Sequence, residues 1–558
     1  MNKFNLTDEK WIPCLMSENS AEIKPQMRSL REIFYEAGNI KEISGETPLV
    51  TIALHRLLIA ILHRALNTPR DADEWAEIWR EGEFENQKIE EYFDAQKHRF
   101  NLFDPERPFY QNASLREHEG KSKSPILFYF QGESPATLFD HTNEHQPLNL
   151  KPPEAIRLLL AFHLFDVGGT KTAEKDKDFA YASPLIQSAV ALVRGKNLFE
   201  TLMLNLHRSD PEDDTPWTFD TAEDLPSWEL SHETESRDRL PKGYIDFLTW
   251  QSRRVILFPI HNEDGDIVVN KVLVMKGFQI PDNFRREEKE LFVPFRALPK
   301  AKKNQSPWVS IRFEEEKALW RDSLALLQSI DGKQIRPKIL SWLGDLVSSE
   351  ILRNEDTISM SFYGFTVDQA KPLFWRQETF LLPLAYLENP KLVALLGEVL
   401  TLAEKVGDSK HIEGEKSGGI LNEGLRRLAY VLVKPNADEG IKPKEENIAP
   451  ILKRLDAGSL YWSRLEPSFK SLMVNLPKDK TSDDDGKEIF GRSLLKIWAK
   501  IVVETAQKAF DSAVNSLSGS ARELKAVAEA EKEFYGKLRN LKAENPHLFD
   551  IKNKTEVK

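Results

Sequence analysis

Asp166-Val167-Gly168-Gly169-Thr170-Lys171-Thr172 is the stretch on which the choice of fold depends. Its adjacent glycines let backbone N–H groups approach an anion closely, and Lys171 adds a positive charge. The stretch therefore predicts a loop that approaches a phosphate-rich ligand. Pro152-Pro153-Glu154 predicts the start of a helix that continues to Phe165, because proline is favoured in the first turn of a helix. The glycines are therefore expected to follow a helix rather than a strand.

The same glycine stretch resembles the phosphate loop of actin-like, ATP-dependent sugar kinases. Such a loop lies in a hairpin near the start of its domain, after a buried β-strand. Here the glycines come after a predicted helix, at residues 168 and 169. A kinase also needs a second glycine motif that binds phosphate further along the chain, and we find none. The kinase is therefore kept as an alternative rather than as the main hypothesis.

Composition limits the classes of protein that fit. A chain of 558 residues predicts roughly two to four domains. Its 77 Lys and Arg against 88 Asp and Glu give a net charge of −11, whereas a protein that grips nucleic acid by itself is usually basic. The charge predicts either no role with nucleic acid or one in which partners supply most of the phosphate contacts.

The same sequence gives expectations about compartment and metals. Cys14 is the single cysteine, which excludes an internal disulfide and a cysteine-based zinc site and fits the reducing cytoplasm. No signal peptide is recognised, and no apolar run reaches about 18 residues, so no membrane association is expected. His141 and His145 have the spacing of helical metal ligands, but no third ligand lies nearby. We expect no metal and no cofactor.

Hydrophobic patterns predict both helices and strands before residue 385. Helices are predicted at Leu49–Leu66, 152–165, 184–206 and 315–348. Strands are predicted at 126–130, 255–258, 266–269, 272–275 and 359–365, and Phe4–Leu6 with Trp11–Pro13 is predicted to form a hairpin. A turn at 262–265 separates two of the strands, and Thr366–Pro372 is predicted to be a polar tip.

From Leu384–Pro390 onward the apolar residues recur at helical spacing, with charged residues on the opposite faces. The predicted fold class is α+β: a large mixed α/β N-terminal domain, residues 1–385, followed by a C-terminal four-helix bundle, residues 386–558.

Short blocks along the chain resemble the CasA family, the large subunits of type I-E CRISPR Cascade complexes. The blocks are Asn5-Leu6 with Trp11-Ile12-Pro13, Arg107-Pro108-Phe109-Tyr110-Gln111 (His-Pro-Phe-x-Gln in the family), Val193-Arg194-Gly195 and Trp250-Gln251. The order of the blocks and the C-terminal helical region match over nearly the whole chain.

The resemblance implies a DNA-binding subunit and not an enzyme. Such a subunit recognises the protospacer-adjacent motif (PAM) of target double-stranded DNA from the minor groove and starts unwinding for pairing with crRNA. It also helps to recruit the helicase–nuclease for interference. Expected partners are the other Cascade subunits, crRNA, target DNA and the helicase–nuclease. A scaffold without DNA contact is a further alternative.

By position in the family, the resemblance implies specific roles for a few residues. Gly168 and Gly169 would form a glycine loop, Lys276 a lysine finger and Gln369 a wedge, with Lys271 as the alternative finger. Glycines leave room for backbone in a minor groove about 6 Å wide, and a lysine can reach the O2 and N3 acceptors there. A glutamine at a tip can insert between base pairs.

Further residues are implied beside these. Asp368 precedes the wedge, where relatives often have Asn, and Lys171 is a candidate for a phosphate contact. Phe128, Tyr129, Phe130 and Gln131 match the loop that contacts neighbouring subunits and the 5′ handle of the crRNA.

Overall fold

Helices and sheets are mixed in the N-terminal part of the chain, as predicted, in a computed structural model. It describes residues 3–17, 24–121, 149–171, 179–208, 217, 222–230, 238–298, 306–315, 317–328, 332–368, 371–408, 418–433, 444–482 and 488–549. The predicted strand at 126–130, the pair His141 and His145, Phe128–Gln131 and Gln369 lie outside these residues.

The chain divides into two compact units. The N-terminal unit comprises residues 1–354 and 358–380, and the C-terminal unit comprises residues 355–357 and 381–558. The division of roles predicted for residues 1–385 and 386–558 stays a prediction.

The helices and strands that begin in the N-terminal part are as follows. The helices are α1 (Leu30–Tyr35), α2 (Pro48–Leu66), α3 (Ala72–Glu81), α4 (Asn86–Gln96), α5 (Pro152–Phe165), α6 (Leu198–Leu204), α7 (Tyr244–Leu248), α8 (Arg286–Lys289), α9 (Ser323–Leu327) and α10 (Lys338–Ser348). The strands are β1 (Ile12–Met16), β2 (Gln26–Arg28), β3 (Ile40–Ile43), β4 (Gly169–Thr170), β5 (Phe179–Ala180), β6 (Val190–Arg194), β7 (Arg253–His261), β8 (Ile267–Lys276), β9 (Phe295–Ala297), β10 (Trp308–Ser310), β11 (Gln334–Ile335), β12 (Thr357–Asp368) and β13 (Lys371–Pro383).

The strands form small sheets. Three have three strands, in the orders β2-β1-β3, β10-β9-β11 and β13-β12-β6, and β4–β5 and β7–β8 form two-stranded ribbons. The β7–β8 hairpin confirms the predicted turn, in which the Asn262 side-chain oxygen accepts N–H groups of Asp264 and Asp266. The two strands predicted at 266–269 and 272–275 are one strand, β8.

Helix α2 is the central buried helix of the N-terminal unit and confirms the prediction at Leu49–Leu66. Thr47 caps its start by accepting the Val50 N–H, and Asn67 ends it in the left-handed conformation. By length and mean hydropathy (1.7) alone, this helix could cross a membrane, although it contains no purely apolar run of about 18 residues. Of the 18-residue window that has this hydropathy, 78% is buried inside the protein. Arg56 within it pairs with Glu290 at 3.2 Å, both almost fully buried. These contacts are those of a core helix.

The N-terminal hairpin prediction is wrong. Asn5 bridges to Asn101 instead, and the Leu6 N–H donates to Phe100 O at 2.9 Å. β1 pairs with β2 and β3. The segment around Phe100 and Phe109 is an irregular turn whose rings are buried, so the apolar contact of this turn outweighs a local hairpin.

Two helix predictions are also wrong in part. Residues 190–194 form β6, which pairs antiparallel with β12, and the helix begins only after Asn197 caps it. A fully buried strand and a buried helix have the same apolar composition, which explains the error. Within 315–348 the helices are short, because Gly332 has φ +70° and Pro337 precedes α10.

The described part of the C-terminal unit consists mainly of helices: α11 (Ala385–Glu388), α12 (Pro390–Val406), α13 (Ile420–Val433), α14 (Glu445–Leu455), α15 (Ala457–Asn475), α16 (Arg492–Asn515), α17 (Ala521–Glu544) and α18 (Pro546–Phe549). A small ribbon joins β14 (Lys480–Ser482) to β15 (Glu488–Phe490). Phe510 on α16 stacks on Phe534 of α17, with ring centroids 4.3 Å apart. The helical character is as predicted, whereas a bundle of four helices stays a prediction.

Four buried histidines predict how stability changes with pH. Burial lowers the pKa of His55, His163 and His207 to about 4 and that of His63 to about 3. Their contribution to stability is complete above the ordinary value of 6.5 and is lost as the pH falls toward about 4, because only the unfolded chain takes up the protons. Each contributes at most ~1.4 kcal/mol per pH unit.

We therefore expect the free energy of unfolding in urea to fall between pH 7.5 and 5.5, and to fall less steeply in His163→Gln. Equal slopes for the variant and the parent chain would contradict the neutral state of buried His163.

Candidate nucleic-acid interface

The glycine loop, residues 166–171, follows α5 as predicted. Asp166 ends the helix, and its N–H donates to Phe162 O at 3.1 Å. A Cβ on Gly168 would lie 3.1 Å from Ala182 N, so this glycine permits a close approach of two chain segments. Gly169 has φ +145°, and nothing lies within 4 Å of where its Cβ would be. Gly168 is thus required for the close packing of two chain segments, whereas Gly169 is required for its positive φ.

A buried cluster of charges holds this loop. The Asp166 Oδ2 accepts from Arg253 Nε at 2.5 Å and from Lys171 Nζ at 2.7 Å. The side chains of Asp166 and Arg253 are 0% exposed and that of Lys171 is 6% exposed. Lys171 Nζ also donates to Val167 O at 3.0 Å. A phosphate contact by Lys171 stays a prediction, and it would compete with this ion pair.

Arg253 reaches the loop with the rest of its guanidinium. Its Nη2 donates to Tyr181 O at 2.8 Å and to Val167 O at 3.2 Å, and its Nη1 donates to Ser252 O at 2.8 Å. The planar fork of arginine supports several hydrogen bonds in fixed directions, which lysine cannot do. One side chain therefore fixes both sides of the glycine loop.

The backbone of Arg253 pairs with Lys276 at the open end of the β7–β8 hairpin. Gly277 follows, and a Cβ there would lie 2.6 Å from backbone atoms of Arg253. The structure therefore brings the predicted finger, Lys276, and the glycine loop to the same residue. Lys271 lies five residues away on β8, about 17 Å along the strand, opposite Phe258. The assignment of either lysine as a finger stays a prediction.

The strand that leads to the predicted wedge also approaches this region. β12 ends at Asp368 and β13 begins at Lys371, and Gln369 lies between the two strands in the sequence. The ring of Phe365 on β12 meets the ring of Phe165, the residue before Asp166, edge to face with centroids 6.3 Å apart. The root of the predicted wedge therefore packs beside the start of the glycine loop.

Sequence reasoning missed the residues that hold the site together. In the sequence Asp166 stands only as part of a predicted phosphate loop, and no local pattern marks Arg253, because its partner lies 87 residues earlier in the chain. The sequence offers one signal for Arg253, which is a charged residue just before an apolar stretch that is predicted to be a strand. Gln279, which is 2% exposed, was missed for the same reason; its Oε1 accepts the Tyr181 N–H at 2.6 Å.

The described ranges contain no group of three or more His, Cys, Asp or Glu side chains placed to hold a metal ion. Cys14 is buried, and burial raises the pKa of its thiol to about 12, so it is not a reactive thiolate.

Comparison with known proteins identifies a class, that of CRISPR-associated proteins. The matching family model is described as CRISPR-associated protein Cse1 and covers residues 5–509, so the chain belongs to the Cse1 family. This membership sets aside the sugar kinase alternative.

Individual relatives agree. CRISPR-associated protein CasA/Cse1 of Thermus thermophilus is 30% identical over 539 residues, 96% of this chain and 97% of that protein. The crystal structure of CasA from Thermus thermophilus has a TM-score of 0.72 at 26% identity, covering 97% of this chain and 100% of that one.

More distant structures share the fold. Cse1 from Acidimicrobium ferrooxidans has a TM-score of 0.77 at 23% identity and covers 98% of this chain and 99% of its own. A chain of a CRISPR RNA-guided surveillance complex has a TM-score of 0.71 at 21% identity, with 96% and 99% covered.

The buried cluster predicts a large loss of stability for Asp166→Ala. Removing the carboxylate leaves Arg253 buried beside Lys171 without its anion, which typically costs about 3–5 kcal/mol. The matched control is Lys88→Ala, which breaks the exposed pair between Lys88 and Glu85 and should cost about 0–1 kcal/mol. Urea unfolding of the two variants measures both. Equal losses would show that the cluster does not stabilise the loop.

Proposed function

We propose that this protein is the large subunit of a type I-E CRISPR Cascade surveillance complex and recognises the PAM of target double-stranded DNA through the minor groove. Membership of the Cse1 family supports the proposal, and so does the fold shared with a chain of a surveillance complex. The observation that carries it is Arg253, which joins the glycine loop and the Lys276 end of a hairpin.

Two features of the glycine loop support its entry into a minor groove. Gly168 is exposed, and the side of Gly169 that lacks a Cβ is open, so backbone can enter a groove about 6 Å wide. A lysine from the neighbouring hairpin would donate to the O2 and N3 acceptors. These acceptors are alike in every base pair, so recognition would tolerate several PAM sequences.

Gln369 is proposed as the wedge that starts unwinding. Insertion of its side chain between base pairs would cost a few kcal/mol of unstacking. The exchange of DNA–DNA for RNA–DNA pairing that follows is nearly balanced in energy, so a small local push is sufficient for R-loop formation. Asp368 is negative and precedes the wedge, and it would face DNA where relatives often have a neutral Asn.

Partners complete the proposed role in the cytoplasm. Phe128–Gln131 would contact neighbouring Cascade subunits and the crRNA, and the helicase–nuclease would be recruited after opening. The C-terminal four-helix bundle is proposed as part of this assembly. The net charge of −11 fits a subunit whose partners make most of the phosphate contacts.

The test is a gel shift with Cascade assembled with and without this chain, on duplexes that differ only in the PAM. We expect PAM-dependent binding only when the chain is present, at more than one salt concentration because phosphate contacts depend on salt. Equal binding with and without the chain would overturn the proposal.

The same gel shift tests which of the two lysines, Lys276 or Lys271, acts as the finger in the minor groove. Lys276→Ala should weaken binding to PAM-bearing DNA roughly tenfold or more, because a hydrogen bond from a charged donor is lost. Lys271→Ala is the matched control on the same strand and should bind nearly as the parent does. A larger loss for Lys271→Ala would transfer the role to that lysine.

A further inference from the structure

Two large aromatic side chains are exposed beside the glycine loop. Phe179 is 57% exposed and Tyr181 is 52% exposed, whereas Ala180 between them is fully buried. Alternate residues of a strand project from the same face, so both rings lie on one face of β5 and its continuation. β5 pairs directly with the loop, Ala180 opposite Gly169 and Phe179 opposite Thr170. The rings are thus part of the same ribbon as the glycines.

The backbone of Tyr181 is held on both sides by buried polar side chains. Its N–H donates to Gln279 Oε1 at 2.6 Å, and its carbonyl accepts from Arg253 Nη2 at 2.8 Å. Both partners are at most 2% exposed. Burying a polar side chain costs free energy unless the side chain is hydrogen-bonded. Gln279 and Arg253 meet this condition partly through the backbone of Tyr181, and they therefore hold that backbone in place. The exposed ring is therefore carried by a fixed backbone, which favours binding because less of the site has to be ordered.

The glycine across the ribbon leaves that ring uncovered. A Cβ on Gly168 would lie 3.5 Å from the Tyr181 carbonyl carbon, so the two residues face each other closely. Because glycine has no side chain, it cannot pack against the tyrosine as a cross-strand neighbour normally would. Gly168 therefore places no side chain against the ring of Tyr181, which is 52% exposed.

We propose that Phe179 and Tyr181 form an aromatic platform on which one unpaired base of the opened target DNA stacks. This rests on the function proposed above and adds a binding site to it. Base faces become available only after the duplex opens, and the strand that leads to the proposed wedge contacts the residue before the glycine loop through Phe365 and Phe165. Aromatic stacking accepts every base, because each has a π-face, so the platform would hold opened DNA without reading its sequence.

Continuity with the glycine loop selects nucleic acid over a protein partner. A protein seated on these rings would occupy the face of the ribbon from which Gly168 must enter the groove. A base that leaves the stack next to that groove reaches the rings without such a conflict. Unpaired bases arise in either strand, and the experiment distinguishes the two sources.

The test compares two double variants in assembled Cascade. Phe179→Leu with Tyr181→Leu keeps apolar bulk and removes both π-faces, whereas Phe179→Tyr with Tyr181→Phe keeps them and is the matched control. The probe is a PAM-bearing duplex with a short unpaired bubble beside the PAM, with 2-aminopurine in one strand or the other. We expect the leucine variant to bind the bubble roughly 5- to 150-fold more weakly for a stacked base.

The control variant should keep the affinity of the parent and its quenching of 2-aminopurine in the strand that is bound. An abasic position in that strand should weaken the parent but not the leucine variant further, which separates stacking from a folding defect. Unchanged bubble affinity and quenching in the leucine variant would overturn the platform, as would an equal loss in the control variant. A parent complex that ignores the PAM would instead overturn the proposed function.

Discussion

The ion pair between Asp166 and Arg253 is the interaction on which the candidate interface depends. Both side chains are fully buried, and two charges taken out of water are costly unless they are closely paired and well hydrogen-bonded. Arg253 meets this requirement with three backbone carbonyls, those of Ser252, Val167 and Tyr181. The Asp166 Oδ1 is buried without a hydrogen-bond partner among the described residues, so the carboxylate is held mainly by its two cations.

This arrangement explains how three distant parts of the chain meet. α5 delivers Asp166, the open end of the β7–β8 hairpin delivers Arg253 opposite Lys276, and Tyr181 on the return of the loop is held by the same guanidinium. A glycine-rich segment by itself is conformationally free and loses much entropy on ordering. The buried pair supplies the constraint that keeps the loop in one conformation while Gly168 stays exposed.

Local signals in the sequence predicted the elements that depend on local physics. The apolar spacing suffices for α2, the prolines suffice for the start of α5, and the Asn262–Gly265 turn suffices for the hairpin. Tertiary contacts decided the rest. Residues 190–193 are all apolar, so only the neighbouring β12 shows that 190–194 form a strand.

The residues of the candidate site divide in the same way, into those that the sequence marks and those that only tertiary contacts reveal. The roles of Gly168, Gly169 and Lys276 are predictions from a resemblance to a family, because glycine and lysine in such places have recognisable chemistry. Arg253 and Gln279 act through backbone groups far away in the chain, and no spacing in the sequence marks such contacts.

Amide hydrogen exchange in an Arg253→Lys variant tests the central claim most directly. Lysine keeps the positive charge next to Asp166 but cannot reproduce the fork that holds Val167 and Tyr181. We predict that the Tyr181 and Ser183 amides, which donate to Gln279 and Asp166, exchange roughly tenfold faster or more, while the Ala191 amide in β6 is unchanged. Unchanged exchange at Tyr181 and Ser183 would show that the loop is held by something other than Arg253.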